Sequence, residues 1–235
     1  MKISIGSKIF EGPWGGGNLF VKNFSEYLNK QGVTVVHDLY DQDIDVIILM
    51  DPRKSSYSST FTHKDIVNYK KYINNKAFVI HRFNECDERK GTVGLNKFLI
   101  QANKVSDKNI YVSNWLREVF YKEGIERKND EVIMTGANTE IFNSKNFVPW
   151  DGSSRLKIVT HHWGTNINKG FEVYKQLDNY LGVKENSDKY EFTYIGKLPE
   201  DFSLTNSNHI EPLSGLDLAK ELKKSHLYLT ASRNE

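Results

Sequence analysis

The chain has 235 residues, 38% of them hydrophobic and 26% charged, with 32 Lys and Arg against 30 Asp and Glu. This is the composition of a globular rather than a disordered protein, and a net charge of +2 gives no electrostatic reason for a nucleic-acid partner. The single cysteine, Cys86, excludes an internal disulfide and a cysteine-based metal site, which fits a reducing compartment.

From Met1 to Gly6 the sequence runs straight into a strand-like segment, with no apolar core of signal-peptide length. The longest strongly apolar run, Val46 to Met50, is far too short to span a bilayer. The expectation is a soluble, cytoplasmic chain, with peripheral membrane contact left open.

Short apolar runs rich in β-branched residues then alternate with longer segments of helical period. Strands are expected at Lys2–Ile5, Val33–His37, Asp45–Met50, Ala77–Ile80, Asn109–Val112 and Glu131–Met134. Helices are expected at Leu19–Gln31, Lys64–Asn74, Gly94–Lys104 and Asn114–Glu123. In the first helix Leu19, Phe20, Phe24, Tyr27 and Leu28 fall at helical spacing and are expected to be its buried stripe. This alternation predicts an α/β unit with a parallel sheet covered by helices on both faces. Such sheets bind ligands at the carboxyl ends of their strands.

The pattern breaks over Asn143–Arg155, where Pro149, Gly152 and two serines read as a linker. It restarts with strands at Leu156–His161, Tyr190–Ile195, Asn208–Glu211 and Leu227–Ala231, and helices at Gly170–Leu181 and Leu216–Lys224. These elements make a thin core for an independent domain. Because Glu235 follows directly on a strand, the second unit is expected to continue beyond it. Expressed as it stands, the chain is expected to be poorly stable.

Several segments carry chemistry. Gly12-Pro13-Trp14-Gly15-Gly16-Gly17-Asn18 joins the first strand to the first helix. Glycines let a backbone approach a ligand closely, and the helix start offers free N–H groups to a phosphate. Its spacing is neither the dinucleotide fingerprint nor a P-loop. A flexible turn explains the loop about as well, and its place at a strand's carboxyl end tips the reading towards a site. In the segment from Ile80 to Thr92, a solvated loop accounts for Glu88, Arg89 and Lys90, whereas His81, Arg82, Asn84 and Asp87 point to a cleft after the fourth strand. Cys86 reads as a small packed residue, and Ser55–Ser59 as a brief polar loop. Ser113 or Asn114 is placed to cap the next helix. In the second unit Lys169 stands beside Gly170 at a helix start, which suits a diphosphate. His161 and His162, as strand neighbours, point to opposite faces, so no metal site is expected from them.

Taken in order, these segments resemble glycosyltransferase family four. Gly15–Gly17 resembles the family's donor-side loop. Val112-Ser113 to Trp115, with Gly136-Ala137-Asn138-Thr139-Glu140-Ile141-Phe142, resembles its "VS" and "NGVDxxxF" signatures, with Asn138 where Asp is usual. Lys169-Gly170 resembles its "KG" pair, with His162, Trp163 and Asn166 in the region where an arginine usually stands. Ser232-Arg233-Asn234-Glu235 resembles the start of its Glu-x7-Glu motif.

The resemblance implies the GT-B fold: α/β, with two Rossmann-like parallel-sheet domains. The first, acceptor-side domain would cover 1–148, a linker 149–155, and a partial nucleotide-sugar domain 156–235. It implies transfer of a hexose from a nucleotide diphosphate sugar to a glycan, lipid-linked or protein acceptor, with retention and without metal or other cofactor. Lys169 would contact the diphosphate and Glu235 the transferred sugar. Asn166, Gly16 and Gly17 would lie on the donor side. His81 would face the cleft in a catalytic role, with Arg82, Asn84 and Asp87 on the acceptor side. The competing readings are a non-catalytic remnant or sugar- or nucleotide-binding module of the same fold, and another doubly wound protein such as a sugar-nucleotide epimerase.

Overall fold

In a computed structural model of the protein, residues 1–127 and 129–233 are described. They divide into two units: residues 1–87 with 92–135, and residues 88–91 with 136–235.

The first unit begins with β1 (Lys2–Ile5), α1 (Gly16–Lys30), β2 (Thr34–Val36) and β3 (Val46–Leu49). It continues with α2 (His63–Tyr72), β4 (Phe78–Phe83), the short α3 (Asp87–Lys90) at the boundary, and α4 (Leu95–Asn103). β5 (Lys108–Tyr111), α5 (Asn114–Lys122) and β6 (Asp130–Val132) close it. The strands form a parallel sheet in the order β2-β1-β3-β4-β5-β6. Successive residues of β3 serve opposite faces, as strand geometry requires. Ile48 and Met50 pack with Ile3, Ile5, Val21 and Leu28, while Ile47 and Leu49 pack with Ile66, Tyr69 and Val79.

Local chemistry sets the helix starts. α2 opens on a capping box, with the Thr62 N–H donating to Asp65 at 2.8 Å. α5 is capped by Ser113, whose hydroxyl accepts from the Leu116 N–H at 3.1 Å.

Two sequence expectations shift. Of the expected stripe of α1, Leu28 is buried and Phe20 and Phe24 pack against the same core cluster, and Val21 and Ser25 are buried as well. Leu19 and Tyr27 are 46% and 59% exposed, because they flank that stripe rather than lie on it. β4 also runs three residues past Ile80, through His81, Arg82 and Phe83. It pairs with β5 over that whole stretch, His81 opposite Asn109 and Phe83 opposite Tyr111. A buried side-chain network, described below, lets a polar residue continue the strand.

The second unit carries β7 (Leu156–His162), α6 (Phe171–Leu181), α7 (Lys184–Ser187), β8 (Tyr190–Gly196), β9 (Asn208–Ile210), α8 (Gly215–Lys223) and β10 (Leu227–Tyr228). Its strands are parallel, in the order β10-β7-β8-β9. Phe171, Tyr174, Leu181, Phe192 and Tyr194 fill one core cluster, and Val159, Ile195 and Leu218 another. The link between β8 and β9 is tied to α6 by the buried Asp178, whose carboxylate accepts from the N–H groups of Thr205 and Asn206 at 2.8–3.1 Å.

Strand order reverses between β1 and β3 in the first unit and between β7 and β10 in the second. These are the crevices in which doubly wound sheets bind ligands. No helix among the described residues is long and apolar enough to cross a membrane.

Candidate functional site

In the first unit the Gly-rich loop leads from β1 to α1. No side chain caps that helix from its N-cap residue, Gly15, and its first turn carries no acidic residue. No acidic side chain of its own first turn therefore offsets the positive end of its dipole. A methyl group added at Gly16 would meet nothing within 4 Å, and one at Gly17 would meet only the Asn84 amide nitrogen, at 3.8 Å. Gly16, Gly17 and Asn84 are thus brought together, and the space over the two glycines is open.

Arg82 lies close to the same helix. Its guanidinium carbon sits 3.8 Å from the centroid of the Phe20 ring, and Nη2 donates to Thr135 Oγ1 at 3.1 Å. The residue is 5% exposed, and Nη1 is buried with no hydrogen-bond partner among the described residues. Burial lowers its pKa to about 10, which still leaves it cationic at neutral pH.

His81 and Asp87 are placed differently. His81 is fully buried. The Asn103 amide lies 3.2 Å from its Nδ1 and also bonds Ser106 Oγ at 2.8 Å and Asn109 Oδ1 at 2.6 Å. Its Nε2 has no partner among the described residues. Burial pushes its pKa down to about 3, so the imidazole is neutral. In this conformation it has no surface to offer a substrate. The Asp87 carboxylate accepts from the N–H groups of Gly94, Leu95 and Asn96 at 2.9–3.1 Å and from Thr92 Oγ1 at 2.8 Å. It therefore caps α4 from outside the helix. Burial raises the Asp87 pKa, but the bonds from Asn96, Thr92, Leu95 and Gly94 outweigh it and hold the group below its ordinary value.

In the second unit the chain leaves β7 through Trp163–Asn166 and a single 3-10 turn, Ile167–Lys169. Asn166 caps that turn, its Oδ1 accepting from the Asn168 N–H at 2.7 Å. Lys169 ends it, and Gly170, at φ 74°, swings the backbone into α6. A methyl group at Gly170 would lie 2.3 Å from the Ala231 carbonyl, so the segment after β10 passes directly over this point. The Arg233 N–H donates to the Asn168 carbonyl at 2.7 Å, and the Arg233 and Glu172 side chains form an ion pair. Behind them the Tyr174 hydroxyl links His162 Nε2, at 2.7 Å, to the Ala231 N–H, at 3.1 Å. His162 faces this buried side, whereas His161 contacts the Tyr228 hydroxyl at 3.0 Å. The two loops of the crevice are thereby clasped, with Lys169 and the start of α6 between β7 and β10.

One cation at this end of the sheet was missed in the sequence. Lys197, the first residue past β8, places its Nζ 4.2 Å from the Trp163 ring. A lysine immediately beyond a strand was the available signal. Glu235, expected to contact the transferred sugar, lies outside the described residues.

No protein-family model matches the sequence, and no curated protein does. Among solved structures, the pneumococcal O-GlcNAc transferase GtfA in complex with UDP and GlcNAc matches at a TM-score of 0.54 and 13% identity. The match covers 93% of this chain and 41% of that one. An alpha-glucosyltransferase in complex with UDP and a 13-mer DNA containing a central A:G mismatch matches at 0.60 and 11% identity, covering 100% of this chain and 73% of that one. A putative UDP-N-acetylglucosamine 2-epimerase from Listeria monocytogenes reaches 0.48 at 17% identity, covering 97% and 72%. This chain thus spans less than half the length of GtfA. The two stronger likenesses concern the fold alone: α/β, with tandem Rossmann-like parallel sheets of the GT-B type.

Proposed function

We propose that the chain binds a nucleotide diphosphate sugar at the crevice of its second unit and takes part in transferring the sugar, a hexose, to an acceptor. The observation that carries this reading is the clasped crevice between β7 and β10. There a lysine at the end of a glycine-hinged turn sits beside the start of α6, in a fold shared with two sugar transferases that hold UDP.

The chemistry suits the parts. When a glycosyl bond to a diphosphate breaks, negative charge grows on the leaving oxygen. Fixed N–H groups and a cation aimed there stabilise the transition state without needing to reorganise. Lys169 is assigned to the diphosphate, and Lys197 to the same anionic group as a second cation. Gly16 and Gly17, at the uncapped start of α1, are assigned to close backbone approach. Arg82 and Asn84 are assigned to the acceptor side, with Asp87 supporting them through α4. His81 is assigned a buried positioning role, and Glu235 contact with the transferred sugar. Retention of configuration and independence from metal belong to the proposal, with a glycan, lipid-linked or protein acceptor.

The test is calorimetric titration with UDP-glucose, UDP-N-acetylglucosamine and their GDP and ADP counterparts, with release of nucleoside diphosphate followed in parallel. One donor should bind, and Lys169→Ala should weaken it about 10- to 100-fold, the range of a lost charge-assisted hydrogen bond. Turnover should persist in EDTA and give product of the donor's anomeric configuration. Binding without turnover would move the chain to a binding module. No binding by a folded sample would overturn the proposal.

A further inference from the structure

The loops leaving β1 and β3 carry three aromatic rings that the donor chemistry leaves unused. The ring centroids of Phe10, Trp14 and Tyr57 are 4.5, 5.1 and 6.1 Å apart, with planes within 16–26° of parallel. They are not core residues: Tyr57 is 68% exposed and Trp14 39%. Nor are they loosely held. The Asn18 side chain of α1 brackets Phe10, accepting from its N–H at 2.8 Å and donating to its carbonyl at 2.9 Å. The Lys8 N–H donates to the Ser58 carbonyl at 2.8 Å, which ties the two loops together.

Exposed aromatic surface that the backbone holds in place is costly unless something covers it. This surface lies at the strand-order reversal between β1 and β3, where doubly wound sheets bind ligands. The rings stack on one another, and the exposure of Tyr57 and Trp14 leaves aromatic surface at the outside of the stack that suits a flat partner. The surroundings are polar and of mixed sign: Lys8 Nζ lies over the Tyr57 ring, 5.3 Å from its centroid, Glu11 beside Phe10 in sequence pairs with Lys22 at 2.9 Å, and Ser56 and Ser58, which flank Tyr57 in sequence, bond each other. A pyranose ring meets both conditions, since its axial C–H bonds pack on an aromatic face while its equatorial hydroxyls suit polar surroundings.

From this geometry we infer that Phe10, Trp14 and Tyr57 form a saccharide-stacking platform, which makes the acceptor a carbohydrate. The platform stands on the aromatic cluster alone; its being the acceptor subsite rests on the transferase reading above.

The test titrates the full chain, without nucleotide, with maltoheptaose, cellohexaose and N-acetylchitohexaose, followed by calorimetry and tryptophan fluorescence. At least one oligosaccharide should bind. Tyr57→Ala should weaken it roughly tenfold, the scale of one lost ring contact, while Tyr57→Phe, which keeps the ring, should retain it. Unchanged thermal unfolding of the Ala variant would separate lost binding from lost folding. No oligosaccharide binding, or equal binding by Tyr57→Ala and Trp14→Ala, would overturn the inference. So would loss of nucleotide binding in these variants with glycan binding intact, which would make the rings a base-stacking site. Donor binding that depends on Lys169 is read separately, so either proposal can fail while the other stands.

Discussion

Two pairs of glycines, one pair in each unit, serve opposite ends. In the second unit Gly170 and Gly196 are enforced from within. A side chain at either would collide with backbone, the Ala231 carbonyl at 2.3 Å and the His162 carbonyl at 1.9 Å, and both have positive φ. In the first unit Gly16 and Gly17 have ordinary φ, with open space at Gly16 and one ordinary contact at Gly17. Nothing in the fold demands a glycine there. On the proposed function, glycines that folding does not need, at an uncapped helix start, keep a place clear for a ligand. A glycine that folding does need marks the frame holding Lys169.

That contrast can be broken by substitution. The largest effect is expected at Gly196→Ala, where a positive φ and a backbone collision combine to cost about 3 kcal/mol or more. Denaturant unfolding of the purified variant checks it, and near wild-type stability would show that β7 and β8 can part cheaply. The Gly16→Ala substitution should do the reverse. It should gain about 0.5 kcal/mol in folding from helix propensity and reduced unfolded-state freedom, yet weaken nucleotide-sugar binding. Equal loss of stability and binding would erase the distinction between the two units.

Between these extremes lies His81. It stays neutral when folded, with its pKa near 3, against 6.5 for an unperturbed imidazole. Below about pH 6.5 the unfolded chain takes up a proton that the folded chain refuses, so stability falls with pH until the folded pKa is reached. From pH 7 to pH 5 this amounts to about 2 kcal/mol. Chemical unfolding at the two pH values should show that loss, and His81→Gln should remove most of it. An unchanged pH slope would place His81 in contact with water. Similar in size, Asp87→Ala should cost ~1–2 kcal/mol through the lost cap on α4. Full stability with weakened acceptor binding would instead make Asp87 a direct ligand.

Much of the fold could be read in the sequence because each strand is a compact apolar run and each helix has its own stripe. The strands from β1 to β10 lie within a few residues of their expected places. Positions that depend on tertiary partners were misread. β4 continues through His81 and Arg82 because Asn103 and Thr135, distant in sequence, meet their side chains. The α1 stripe keeps Phe20, Phe24 and Leu28 but takes in Val21 and Ser25 and leaves out Leu19 and Tyr27, because helical spacing alone does not fix the edges of a face. For the site, Lys169 stood out by its place between a strand end and a helix start, whereas Lys197 follows Gly196 at a strand end with no helix start after it. Tyr57 sits in a serine-rich stretch that reads as a plain polar loop. Only the reversal of strand order brings it beside Phe10 and Trp14.

On the proposed function, the frame around Lys169 holds a nucleotide diphosphate sugar. The most direct test is calorimetric titration of wild type and Lys169→Ala with UDP-glucose and UDP-N-acetylglucosamine, each protein first shown to unfold cooperatively. One sugar nucleotide should bind wild type, and should bind the variant about 10- to 100-fold more weakly. Equal binding by both proteins, or none by a folded wild type, would contradict it.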